Sequence, residues 1–109
     1  MIRELPRSHE ILDALNRAKR SPLMLACQAG NLEAVKMLIE YKANYRLTTE
    51  TGTPLIMAVE ADSISLMEYL LSLKDSHSLN DSDLSGLTPL YVACYNHKME
   101  ALKYILGHN

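Results

Sequence analysis

A chain of 109 residues, 48% hydrophobic and 22% charged, has the make-up of an ordinary globular protein and can bury one core without disulfide or metal staples. Its net charge of −2 comes without a basic stripe: the first twenty residues hold five basic and three acidic groups, the rest six and ten, which argues against nucleic acid as a partner. Apolar runs fall far short of the ~20 residues that span a bilayer, and Arg3, Glu4, Arg7 and Glu10 interrupt any secretory core after Met1, so no membrane is expected and an intracellular, cytoplasmic location is.

The first predicted element is a helix capped by Ser8, with Ile11, Leu12, Leu15 and Ala18 on one face and Arg17, Lys19 and Arg20 near its end, where cations complement the helix dipole. Residues 1–20 thus read as a leading cap. Three Ser/Thr-Pro-Leu tripeptides follow, each with an alanine at a fixed offset: Ser21-Pro22-Leu23 with Ala26, Thr53-Pro54-Leu55 with Ala58, and Thr88-Pro89-Leu90 with Ala93. The hydroxyl at the N-cap accepts from an orphan amide, and proline at the first helical position loses nothing by lacking an N–H. Each tripeptide therefore opens a short helix, over 22–29, 54–61 and 89–96. These end at Gly30, Asp62 and His97, of which only glycine enters a left-handed turn without strain, Asn96 being a possible substitute in the last.

A second helix follows in each unit, over 32–41, 64–73 and 99–106. In the first, Leu32, Val35, Leu38 and Ile39 make the apolar stripe while Glu33, Lys36 and Glu40 face water. The same columns recur as Met67 and Leu102 beside Val35, and as Leu70 and Ile105 beside Leu38. The units divide as 21–52, 53–87 with a long loop, and 88–109, which is truncated. All form a single domain, and residues 42–52 and 74–86 serve as polar connectors that project as turns or short hairpins. Cys27 and Cys94 fall in one column two steps apart, so they should be about 20 Å from each other, reduced, and buried as small core residues. Met24, Met37, Met57, Met67 and Met99 read as core fillers.

No catalytic or metal-binding pattern emerges. His9, His77, His97 and His108 share no ligand spacing, no Cys-x-x-Cys exists, and the four glycines do not cluster into a phosphate loop. No cofactor and no enzyme activity are expected.

The phased Ser/Thr-Pro-Leu copies, Gly30, Asn31 and Ala43, and the run Asp83-Leu84-Ser85-Gly86-Leu87-Thr88-Pro89-Leu90 resemble the ankyrin repeat family, whose ~33-residue period the proline spacing brackets. The resemblance implies an all-α fold: an ankyrin-type α-solenoid of stacked helix-turn-helix repeats with projecting loops or short β-hairpins. The chain departs from the pattern where Met24, Ile56 and Tyr91 stand for the family histidine, and where Lys42 and Lys74 stand for the glycine before the loop alanine. No polar capping repeat follows Asn109, which implies a piece of a longer protein or a covered end.

The same resemblance implies a non-catalytic protein–protein interaction module that binds through its concave face and loop tips. Carried over position by position, that strip holds Arg20, Gln28, Thr49, Glu50, Glu60, Leu84, Ser85, Leu87, Tyr95 and Asn96. Glu50, Glu60, Asp81 and Asp83 would make its middle acidic, with Leu84, Leu87, Tyr91 and Tyr95 as apolar and aromatic neighbours. A protein or peptide partner of basic and apolar character fits this pattern. The competing reading packs Leu84 and Leu87 against their own loop and lets Tyr91 fill the histidine space. Two rival functions stay open: a structural segment of a longer array or self-associating stack, and the targeting arm of a larger enzyme.

Overall fold

A computed structural model describes residues 13–73 and 78–107. Among them are six helices in three consecutive pairs: α1 (Pro22–Gln28) with α2 (Leu32–Glu40), α3 (Pro54–Glu60) with α4 (Ile64–Leu71), and α5 (Pro89–Tyr95) with α6 (Met99–Leu106). Three residues join the helices of each pair. α1 packs on α3 and α3 on α5, while α4 packs on α6, so two layers of helices stack in step.

The Ser/Thr-Pro junctions act as the sequence requires. The amides of Met24, Ile56 and Tyr91 donate to the hydroxyls of Ser21, Thr53 and Thr88 at 3.2, 3.1 and 3.4 Å. α2 and α4 start on side-chain caps of their own, Asn31 Oδ1 accepting from Ala34 N at 3.1 Å and Ser63 Oγ from Leu66 N at 3.3 Å. α6 has no such cap, because its N-cap residue is Lys98. Asp62 of the preceding unit supplies the missing acceptor: Ala101 N donates to Asp62 Oδ1 at 2.8 Å.

Gly30, Asp62 and His97 occupy one position in successive units and all are left-handed, with φ of 72°, 56° and 56°. Asn96 keeps a negative φ and does not replace His97 in that role. Lys42 is left-handed as well, with Ala43 N donating to Leu38 O at 3.0 Å and Lys42 N to Ile39 O at 2.9 Å. This six-residue closure ends α2 in the manner usually assigned to glycine.

The described part of the leading segment, residues 13–20, forms turns and not the expected helix; residues 1–12 lie outside the described residues. Asn16 is the physical reason. Its Oδ1 accepts from Ala18 N at 2.8 Å and from Arg20 N at 3.1 Å, offering the backbone a partner that a helix would not use. Leu15 and Ala18 are exposed in consequence.

The core runs through the stack as columns: Leu23 with Leu55, Met24 with Ile56, Cys27 with Val59, and Val35 with Met67. The third unit breaks the expectation for several of these columns. Cys94 is exposed where Cys27 is buried, and Leu90 and Tyr91 are exposed where their counterparts are not. Met37 and Met99 are also exposed and do not fill the core.

Candidate functional site

The inner layer, made by α1, α3 and α5, borders the connectors to form a concave surface. At its third unit lies a groove of about 520 Å³, lined by Arg20, Glu50, Thr51, Glu60, Asp83, Leu87, Tyr91, Val92, Tyr95 and Asn96. One wall is apolar and aromatic. Tyr95 is 85% and Tyr91 64% exposed, so both rings stand in solvent next to Leu87. Tyr91 therefore does not fill the space of the family histidine.

The other wall is charged and ordered across units. Arg20 Nη1 donates to Gln28 Oε1 at 3.1 Å, and Gln28 Nε2 donates to Glu60 Oε1 at 3.1 Å. Residues from the leading segment, α1 and α3 thereby form one ladder, and the next position in the column is Tyr95. A polar concavity of about 470 Å³ adjoins it, lined by Arg20, Gln28, Glu60, Asn96 and Lys98.

The connectors are stitched to one another. Thr51 Oγ1 donates to Ala18 O at 2.7 Å, and Leu84 N donates to Thr49 O at 2.9 Å. Thr49 forms an isolated bridge with Gly52, and this bridge is the remnant of the expected hairpin. Thr49 is buried by these contacts, so it supports the loop tip while Glu50 and Thr51 line the groove.

Asp83 also differs from its expected role as an open acidic group. It is buried, and its Oδ1 accepts from Ser85 N at 2.9 Å, Ser85 Oγ at 2.6 Å and Leu87 N at 3.0 Å. Its carboxylate closes the turn that carries Gly86 at φ 97° and so sets Leu87 at the groove edge. The carboxylate still lines the groove, with its Oδ1 taken up by these three bonds within the turn.

Of the ten residues expected on the strip, the structure gathers Arg20, Glu50, Glu60, Leu87, Tyr95 and Asn96 around the groove. Gln28 joins the ladder and the polar concavity. Thr49, Leu84 and Ser85 lie on the loops outside the lining, Leu84 exposed and Ser85 bonded to Asp83. Thr51, Val92 and Lys98 were not expected there. Thr51 could have been found as the neighbour of Glu50 at a loop tip, whereas Val92 sits in a core column and gives no sequence signal.

No group of three or more His, Cys, Asp or Glu side chains among the described residues could hold a metal ion. Burial pushes the Cys27 thiol up from 9.0 to about 12, which makes it a poor nucleophile. Among the described residues no helix is long and apolar enough to cross a membrane.

Residues 1–81 match the family model for ankyrin repeats in three copies, and residues 85–109 match the model for a single ankyrin repeat. The chain is 32% identical over 82 residues to the phosphocholine transferase AnkX of Legionella pneumophila, covering 72% of this chain and 9% of that protein. It is 38% identical over 72 residues to mouse protein phosphatase 1 regulatory subunit 27, covering 64% and 47%. It is 28% identical over 96 residues to mouse protein fem-1 homolog A-like, covering 87% and 14%. The chain spans less than half the length of each of these relatives.

Proposed function

The chain belongs to the ankyrin repeat family, whose repeats act generally as protein–protein interaction modules, and on that premise we propose that its concave groove binds a protein segment carrying an apolar side chain next to a basic one. The observation that carries this reading is the joining of two unlike walls in one concavity. Tyr91, Tyr95 and Leu87 offer an apolar seat, and Glu50, Glu60 and Asp83 border it with carboxylates. An aromatic anchor supplies affinity, while carboxylates at the rim favour approach of a cation and reject an anionic segment. Arg20 is held by Gln28 at the far end of the ladder. The working units are 21–52, 53–87 and 88–109 behind a leading segment, 1–20, within one domain.

A randomised peptide library screened against the chain tests this. Selected peptides should pair Lys or Arg with a large apolar residue. Tyr95→Ala should then weaken them by at least about tenfold, the usual scale for an aromatic anchor. Glu60→Gln combined with Glu50→Gln should slow association and flatten its salt dependence. Binders without basic residues, or binders indifferent to Tyr95→Ala, would remove the groove from the assignment.

A second reading is favoured by the coverage of the relatives. Because the chain spans so little of proteins that include a phosphocholine transferase, it acts as the recognition arm of a longer polypeptide whose other activities lie elsewhere. In that case the groove supplies the substrate or scaffold contact and no chemistry of its own.

A further inference from the structure

Two concavities on the inner face share Arg20, Glu60 and Asn96, yet their charges are opposite. The groove sets one cation, Arg20, against three carboxylates, Glu50, Glu60 and Asp83. The adjoining concavity of about 470 Å³ sets two cations, Arg20 and Lys98, against the carboxylate of Glu60. Its walls come from the leading segment, α1, α3 and the turn between α5 and α6, so it crosses all three units. A surface built from successive units in this way is lengthened by a further unit and not covered by one.

Arg20 is incompletely satisfied. Its Nη1 donates to the neutral amide of Gln28, and its Nε is buried without an acceptor. A cation in that condition gains more from an approaching anion than one already paired with a carboxylate. Gln28 also keeps two opposite charges apart. Its Oε1 accepts from Arg20 and its Nε2 donates to Glu60 Oε1, each at 3.1 Å. The amide dipole suits both ends, so the three side chains form an ordered row of cation, amide and carboxylate. A direct pair between Arg20 and Glu60 would quench both groups, whereas the inserted amide leaves each with charge to offer outward.

The row matches a segment whose charges run in the opposite order. Extended backbone rises about 3.3 Å per residue, so side chains two apart lie on one face roughly 7 Å apart. The Gln28 amide with its bond at each end covers a span of the same order. A singly charged ligand fits best. Glu60 borders the concavity and repels a dianion, whereas a planar carboxylate meets a guanidinium edge to edge.

We propose that the polar concavity binds an Asp or Glu side chain of the segment seated in the groove, two residues from that segment's basic residue. Arg20 and Lys98 take the carboxylate, Glu60 and Glu50 take the cation, and Tyr95 keeps the apolar neighbour. Gln28 sets the spacing. This rests on the groove reading and adds a second charge to the segment it recognises.

A synthetic randomised peptide library with amidated C-termini, screened against the full chain, tests the two readings separately. Selected peptides should carry Asp or Glu two positions from Lys or Arg. Replacing that acid by its amide should weaken binding about three- to tenfold, the scale of a charge-assisted pair near solvent. Against the Arg20→Gln chain the same replacement should matter less than about twofold, while the preference for the basic residue persists. Circular dichroism checks the fold of this variant, and Lys98→Gln makes the same comparison if Arg20→Gln does not fold. Peptides that keep the basic and apolar residues without an acid would overturn this inference and leave the groove reading standing. So would an acid whose effect survives in the variant. Peptides lacking the basic and apolar pair would overturn both readings. Repeating the screen with phosphoserine in place of Asp, and with free C-termini, separates other anions. Tighter binding of the phosphorylated peptides, or enrichment of acids only at a free C-terminus, would overturn the side-chain carboxylate.

Discussion

Asp62 does two things at once. It occupies a left-handed position that favours glycine, and it caps the next unit's second helix through Ala101 N. Asp62→Asn should keep most of the stability, since the amide oxygen can still accept. Asp62→Ala should cost about 1–2 kcal/mol, the loss of a helix cap without relief of the backbone. Asp62→Gly should fall between them, because relief at φ 56° offsets part of the lost cap. Denaturant midpoints of the three variants would rank them, and equal midpoints would mean that the Asp62 cap contributes nothing. Cys27 makes a different prediction. Its thiol titrates near 9.0 when unfolded and near 12 when folded, so its contribution is complete below pH 9. Stability should then fall as pH rises from about 9 to 12, by up to ~1.4 kcal/mol per unit from this group. Cys27→Ala should be less stable at neutral pH yet show a shallower alkaline decline, which urea unfolding at several pH values would reveal.

At the scale of the element, the helix starts were legible because Ser/Thr-Pro combines a side-chain acceptor with a residue that has no N–H to lose. Ser21, Thr53 and Thr88 all accept as expected, and the helix ends lie within one or two residues of the sequence limits. Over residues 13–20 the expected helix does not form, because periodicity in Leu15 and Ala18 says nothing of Asn16, whose side chain competes for the same amides. The turns follow the repeat's geometry even where the residue resists it. His97 is exposed at φ 56°, so His97→Gly should raise stability by roughly 0.5–1 kcal/mol in thermal unfolding. No gain would indicate that the imidazole contributes a contact offsetting its strain.

At the scale of the whole molecule, position in the stack overrides residue type. Cys27 and Cys94 share a column, yet one is enclosed by the next unit and the other faces outward. A thiol reagent at pH 8 should label Cys94 at the rate of an open side chain and Cys27 only as fast as the protein opens. Equal rates at the two cysteines would contradict the stack as described. The groove arises at this scale too: Arg20, Gln28 and Glu60 come from three successive segments and meet only because those segments stack in step.

The sequence by itself determined the repeat, the helix pairs and the caps of their first helices, because these depend on local chemistry recurring at a fixed spacing. It also marked Tyr95, whose column points away from the core in every unit. Tertiary structure alone decided which members of each column are covered. Burial depends on the presence of a neighbouring unit, so Leu90, Tyr91 and Cys94 open where Leu23, Met24 and Cys27 close. It likewise decided that Asp83, at the edge of the groove beside Glu50 and Glu60, is bonded into its own turn. Nothing in a one-dimensional pattern distinguishes a carboxylate that closes a loop from one that meets a partner, since that depends on which donors the folded chain brings within reach.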